Sequence, residues 1–135
     1  MEKQYSYGAI VVREENGKLV YLLVKNFRGE WGFPKGHKEK DEKPLETAIR
    51  EIWEETSIKD LKFAPGFKEE LVYKYEGEIK TIEKHAIYFI AVTTQSELKC
   101  LDAEHTELRW VPYEEAIKLL TFENTKEILK KARSA

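Results

Sequence analysis

Glu51, Glu54 and Glu55 fall within five consecutive positions, directly after Arg50. On a helix, residues three and four apart are neighbours. Glu51 would then lie beside both Glu54 and Glu55, Arg50 one turn from Glu54, and Glu46 one turn before Arg50. Like charges placed this way repel one another, and a helix that accepts the repulsion has reason to hold something positive. Hard divalent cations take oxygen ligands and complete their shell with water and substrate phosphates. Ions held this way generate hydroxide at neutral pH and neutralise charge on a phosphoryl group. A run such as "REIWEET" also decorates ordinary solvated helices, where exposed ion pairs contribute little, so the three glutamates do not decide the matter alone.

A rigid element has to carry these carboxylates. Pro44 suits a first helical turn, and Leu45, Ala48, Ile49 and Ile52 recur at helical spacing, which predicts an amphipathic helix over 44–56. Its apolar stripe would pack on a sheet and leave the three carboxylates pointing away from the core. "YSYGAIVVRE" and "KLVYLLVKN" read as a β-hairpin around Glu15-Asn16-Gly17. "FRGEWGFPKG" reads as a loop or short strand ending in a bend. "FKEELVYKYEG" and "KTIEKHAIYFIAVTT" pair around Glu76-Gly77-Glu78. In the second of these, alternation places Lys84, Ala86, Tyr88 and Ile90 on one face and His85, Ile87 and Phe89 on the other. "ELRWVP" reads as a short strand, and "YEEAIKLL" and "NTKEILKKAR" as helices, the last capped by Asn124. The expectation is one α/β domain over residues 1–135, without repeats or linkers.

The 23 basic and 25 acidic residues leave a net charge of -2, which gives no reason to expect a general nucleic-acid-binding surface. Cys100 is the single cysteine, so an internal disulfide is excluded. No long apolar run and no signal peptide stand out. A soluble, cytoplasmic protein with no membrane partner is expected, and the sequence does not indicate its oligomeric state.

Residues 36–58, "GHKEKDEKPLETAIREIWEETSI", resemble the Nudix box G-x5-E-x7-R-E-U-x-E-E-x-G-U, where U is apolar. Gly36, Glu42, Arg50, Glu51, Ile52, Glu54, Glu55 and Ile58 all match, and Ser57 stands where the family has glycine. The resemblance implies the Nudix fold, a mixed β-sheet between helices with a loop-helix-loop box. It implies Mg²⁺ as cofactor, with Mn²⁺ as a substitute, held by Glu51, Glu54, Glu55 and the Gly36 carbonyl. Arg50 would orient a carboxylate, and Glu42 would support the loop.

"WGFPKGH", "GFKEELVY", "KHAIYFIA" and "EHTELRWVPYEEAIKLL" are similar to the asymmetrical diadenosine tetraphosphate hydrolases over roughly residues 5–130. That resemblance implies hydrolysis of a small nucleoside polyphosphate to ATP and AMP. Lys35 and Lys84 match its phosphate-contacting positions, with Tyr88 a hydrogen-bond donor on the Lys84 face and His37 beside the bend. Tyr73 matches an adenine-stacking tyrosine and Phe122 falls near a second aromatic; such stacking is worth about 1–3 kcal/mol per base. Glu104 matches an acidic residue outside the box, a further metal ligand or a general base. Animal members carry a histidine where Glu30 precedes Trp31, and an acid there repels a polyphosphate unless Arg28 compensates.

Taken singly, several of these residues have plainer readings. Tyr73 and Tyr88 are common strand packers, and Phe122 would equally cap a core. Trp31 and Trp110 are read as structural, and Trp53 has no assigned place. Neither His85 nor His105 is given a role, and Cys100 is read as a loop bystander. Three other activities compete: hydrolysis of an RNA 5′ end, MutT-like hydrolysis of nucleoside triphosphates, and a non-catalytic nucleotide sensor. The retained glutamates disfavour the sensor.

Overall fold

The computed structural model describes residues 1–135. Its elements are β1 (Glu2–Glu15), β2 (Lys18–Asn26), β3 (Trp31–Gly32), β4 (Lys35–His37), α1 (Pro44–Thr56), β5 (Lys62–Phe63), β6 (Glu69–Glu76), β7 (Thr81–Val92), β8 (His105–Pro112), α2 (Tyr113–Leu119) and α3 (Glu123–Ser134).

Asn16 and Gly17 both take positive φ, 52° and 80°, which a two-residue hairpin turn of the primed type requires. They join β1 to β2 in antiparallel register, with Val12 opposite Tyr21. Parallel neighbours need a long crossover. β1 and β7 are parallel from Glu2↔Ile82 to Val12↔Val92, and the chain between them carries α1. β4 pairs with the first half of β1, β6 and β5 with β7, and β8 with β2, giving one mixed eight-stranded sheet. β1 starts three residues before the expected span because Glu2, Lys3 and Gln4 pair with Ile82, Glu83 and Lys84.

Side-chain alternation splits the apolar residues between two faces. Ile10, Val12, Tyr21, Leu23, Ala86, Tyr88 and Ile90 pack with Ala116, Leu120, Ile128, Leu129 and Ala132 of α2 and α3. Ala9, Val11, Leu22 and Ala91 pack on the other face with Ile52 of α1 and Ile58. The sheet is therefore sandwiched between helices. No helix is long and apolar enough to cross a membrane.

Two local expectations are corrected. In α1, Leu45 and Ile49 are exposed together with Trp53, and the buried stripe is Thr47, Ala48, Ile52, Glu55 and Thr56. Two overlapping stripes, 45–49–53 and 48–52–55, both satisfy helical spacing, and the sheet selects the second. Glu46, one turn before Arg50, accepts a 2.7 Å hydrogen bond from the Lys43 backbone N–H at the start of the helix. Asn124 is not the N-cap of α3, because the extended residue before that helix is Phe122.

Candidate active site

Arg50 organises the outer part of the site. Its Nε and Nη2 donate to the two Glu42 oxygens at 2.6 and 3.0 Å. Nη1 reaches Glu51, Glu54 and Glu39 at 3.1 Å each, and Nη2 also donates to the His37 carbonyl at 2.9 Å. The guanidinium holds the Glu42 carboxyl down at about 2, and Glu42 in turn raises Arg50 further above its usual range. The paired geometry is of the strong, charge-assisted kind. It ties the loop 37–42 to α1.

Glu51 lies against the strand backbone. A Cβ on Gly36 would come within 2.0–2.3 Å of the Glu51 carboxylate, so only glycine lets the two meet. Gly36 pairs with Tyr7 while Lys35 and His37 pair with Gly8 and Ser6. Alternation therefore turns the bare glycine toward α1 and sends the Lys35 and His37 side chains to the other face. Burial raises the Glu51 carboxyl, with Arg50 opposing the shift.

Glu55 corrects the expectation that all three carboxylates point away from the core. It is 2% exposed. Burial, then the Glu51 and Asp102 charges, push its carboxyl up to about 9, with Lys35 opposing them. Its Oε1 has no hydrogen-bond partner. His105 Nε2 stands 3.5 Å from that oxygen, an ion-pair distance whose alignment does not make a hydrogen bond. An orphaned buried oxygen is costly unless something fills the gap.

The segment that brings His105 there was missed in the sequence, because its residues form no recognisable spacing. It docks on the free carbonyls that end α1. Lys99 and Leu101 N–H groups donate to the Thr56 and Glu54 carbonyls, both at 3.0 Å. Ser57 adopts the left-handed conformation at φ 68° and its hydroxyl donates to the Lys99 carbonyl at 2.6 Å. The serine thus takes the glycine's backbone role and adds a tether. Asp102 then accepts from the backbone N–H groups of Glu104 and His105 at 3.2 and 3.3 Å and sits 3.1 Å from the His105 ring. Cys100 donates its thiol to Asp102 at 3.1 Å. Glu104 is exposed, and its charge acts on both Glu51 and His37.

The opposite face gathers basic and aromatic groups. Tyr73 and Lys84 are direct cross-strand partners, and Lys84 Nζ lies 5.4 Å from the Tyr75 ring centre. Burial lowers Lys35, with Glu55 opposing the shift, and lowers His37, with Lys35 and Lys84 adding to it. Tyr73 and Phe122 are 40% and 48% exposed, open enough to present a ring face. Lys131 of α3 pairs with Glu69 of β6 at 2.9 Å. Phe122 opens that helix beside Thr121, which bonds to Trp31, four residues before Lys35.

Tyr88 corrects a further expectation. It shares the Lys84 face but is 1% exposed, with its ring edge-on to Phe33 at 5.6 Å. Four residues further along the strand than Lys84, it packs in the cluster with Ile128 and Leu129 of α3, so Tyr88 is a core residue. Glu30 is neutralised locally, accepting from Asn26 at 2.9 Å and Arg28 at 3.0 Å. Trp31 and Trp110 are structural: Arg109 and Arg13 stack on them, and the Trp110 indole donates to the Ser96 carbonyl. A cavity of about 700 Å³ between Tyr21, Phe67, Ile90, Tyr113 and Arg133 lies at the other end of the sheet and holds none of these residues.

The sequence pattern of the NUDIX domain matches residues 2–132. The chain belongs to the Nudix family. It is a Nudix hydrolase with an α/β Nudix fold. It is 34% identical over 125 residues to the mouse bis(5′-nucleosyl)-tetraphosphatase [asymmetrical], covering 89% of this chain and 82% of that protein. The binary complex of the Caenorhabditis elegans Ap4A hydrolase superposes with a TM-score of 0.85 at 27% identity, covering 97% and 96% of the two chains. A shorter match, 41% over 88 residues, joins 61% of this chain to 34% of the mRNA-decapping protein g5R of African swine fever virus.

Nudix hydrolases use divalent cations, and the residues present fit one. Glu51 lies on bare backbone at Gly36, Glu55 keeps an unpartnered oxygen, and Glu54 is held from the outer side by Arg50. No three carboxylate, imidazole or thiol groups close into a cage. An ion that retains water and borrows substrate phosphate oxygens does not require one.

Proposed function

We propose that this protein hydrolyses nucleoside polyphosphates, with diadenosine tetraphosphate as its leading substrate, adding one water across a P–O–P bridge to release ATP and AMP. The observation that carries this reading is the near full-length match to enzymes of that name in mouse and C. elegans, joined to a site whose basic and aromatic groups lie side by side.

Lys35 and Lys84 hold the phosphate chain and offset its charge. Tyr73 and Phe122 take an adenine ring by stacking. His37 lies close enough to the Lys35–Lys84 pair for contact with the same chain. Gly36, Glu51, Glu54, Glu55 and Glu104 hold Mg²⁺, or Mn²⁺ in its place. The bound cation supplies charge neutralisation at phosphorus and acidifies a water. Arg50 keeps the outer carboxylates in place, and Glu104, exposed with its charge acting on Glu51, serves either as a further metal ligand or as the general base. One domain spans residues 1–135, and its single thiol suits a reducing cytoplasm.

The match to g5R favours a second reading in which the polyphosphate belongs to an RNA 5′ end. A side-by-side assay with Mg²⁺ separates the two. Diadenosine tetraphosphate, nucleoside triphosphates and 5′-capped and 5′-triphosphorylated RNAs are supplied at equal concentration and products resolved by chromatography. ATP plus AMP formed fastest from the dinucleotide supports the first reading, and faster RNA turnover replaces it with the second.

A further inference from the structure

The loop between β2 and β3 is more tightly built than its exposure requires. Asn26 Oδ1 accepts the backbone N–H groups of Arg28 and Glu30, both at 3.0 Å. The Asn26 backbone N–H also donates to the Glu30 carbonyl at 3.0 Å, and Gly29 N–H donates to the Asn26 carbonyl at 3.0 Å. Gly29 sits at φ 79°, in the left-handed region where a side chain is strained. Inside this frame Glu30 Oε1 receives Asn26 Nδ2 and Arg28 Nε at 2.9 and 3.0 Å. Arg28 is thereby held by one nitrogen of its fork. Its side chain remains 78% exposed, and its two Nη nitrogens bond to no other residue.

The loop also stands in a fixed place. Trp31, immediately after Glu30, donates its N–H to Thr121 Oγ1 at 2.8 Å and accepts from the Thr121 N–H at 3.3 Å. Phe122 is the next residue, so the loop borders the aromatic end of the site. Four residues on from Trp31 the chain reaches Lys35. The charges of Arg28 and Glu30 act on Tyr73, and that of Arg28 acts on Lys35.

We infer that Arg28 is a specificity-determining residue: held through Nε by the Asn26–Glu30 pair, its free Nη nitrogens bind a non-bridging oxygen of a long polyphosphate chain at the mouth of the site, beyond Lys35 and Lys84. The inference rests on the dinucleoside polyphosphate reading above. A planar fork with two free donors suits a phosphate better than a lysine's single ammonium does. Glu30 then acts as a positioning residue. An acid at this position coexists with a polyanionic substrate because its charge is spent on orienting a cation.

The test compares wild type, Arg28→Ala, Arg28→Lys and Glu30→Gln on diadenosine tri-, tetra- and pentaphosphate, with Lys18→Ala, at the far end of the sheet, as the charge control. Arg28→Ala is expected to raise KM for the tetra- and pentaphosphate about tenfold, as for one charge-assisted contact, with kcat changed less than about twofold and the triphosphate affected least. Arg28→Lys recovers part of the loss. Glu30→Gln decides the sign: orientation by Glu30 predicts a higher KM, whereas simple repulsion predicts a lower one and would overturn the inference. An unchanged KM in Arg28→Ala, or the same change with Lys18→Ala, also overturns it. A wild type that leaves all three dinucleotides intact while cleaving RNA ends removes the substrate reading and the inference together, whereas an active wild type with an indifferent Arg28 removes the inference alone.

Discussion

The two sides of α1 hold the same kind of side chain in opposite environments. On the outer side, Glu42 and Glu54 share the Arg50 guanidinium, and Glu42 is held at about 2. On the inner side, Glu55 sits under the docked 97–105 segment and is pushed up to about 9. Contact with a cation favours a carboxylate's charge, and burial without a paired donor disfavours it. The difference assigns work. Glu42 is held in its charged form and Glu54 is positioned by the same guanidinium, whereas burial disfavours the charge on Glu55 unless a positive partner offsets it.

The most damaging way to break this contrast is Glu51→Gln, which removes the carboxylate lying on Gly36. Turnover should fall by about 10³-fold while the melting temperature stays near wild type. Near-normal turnover in a single-turnover assay would show that Glu51 is not in the reacting site.

Arg50→Ala leaves Glu42, Glu51 and Glu54 without their shared partner. Stability should drop by about 2 kcal/mol in urea titration, since several charged hydrogen bonds are lost at once, and kcat should fall by about 10²-fold. Equal stability would mean that the outer cluster contributes nothing to holding the loop.

The pH dependence of the metal-free protein sharpens the contrast further. Glu42 has a lowered carboxyl, so its contribution is present above its unfolded value of 4.5 and is lost as pH falls toward about 2. Glu55 has a raised one, so its contribution is full below 4.5 and is lost as pH rises from there toward about 9. Glu55→Gln should therefore flatten the alkaline loss, which has a slope of at most ~1.4 kcal/mol per pH unit, and leave the acid loss intact. Chemical denaturation between about pH 2 and 9, with chelator present, reads both limbs.

His105→Ala should weaken divalent-cation binding about tenfold by calorimetry, as loss of a supporting residue around a metal ligand does. Unchanged affinity would make His105 a packing residue. The smallest effect belongs to Ser57→Gly. Relief of left-handed strain and loss of the hydroxyl bond to Lys99 oppose each other, so the net change should stay within about 0.5 kcal/mol.

Much of this protein is written locally in its sequence. The α1 boundaries at Pro44 and Thr56, the Asn16-Gly17 hairpin, the alternation through Lys84, Ala86 and Tyr88, and the glutamate spacing all follow from neighbours a few residues apart. Short-range sterics and helical or strand periodicity determine them before any tertiary contact forms. Three outcomes were left to the tertiary structure. The sheet selected the 48–52–55 stripe of α1 over the 45–49–53 one, buried Glu55 and exposed Ile49. Tyr88 became core because α3 covers its part of the strand. Asp102 and His105 joined the site because the 97–105 segment caps the α1 carbonyls. Each depends on which distant surface arrives to exclude water, and desolvation acts between segments that the order of residues alone does not bring together.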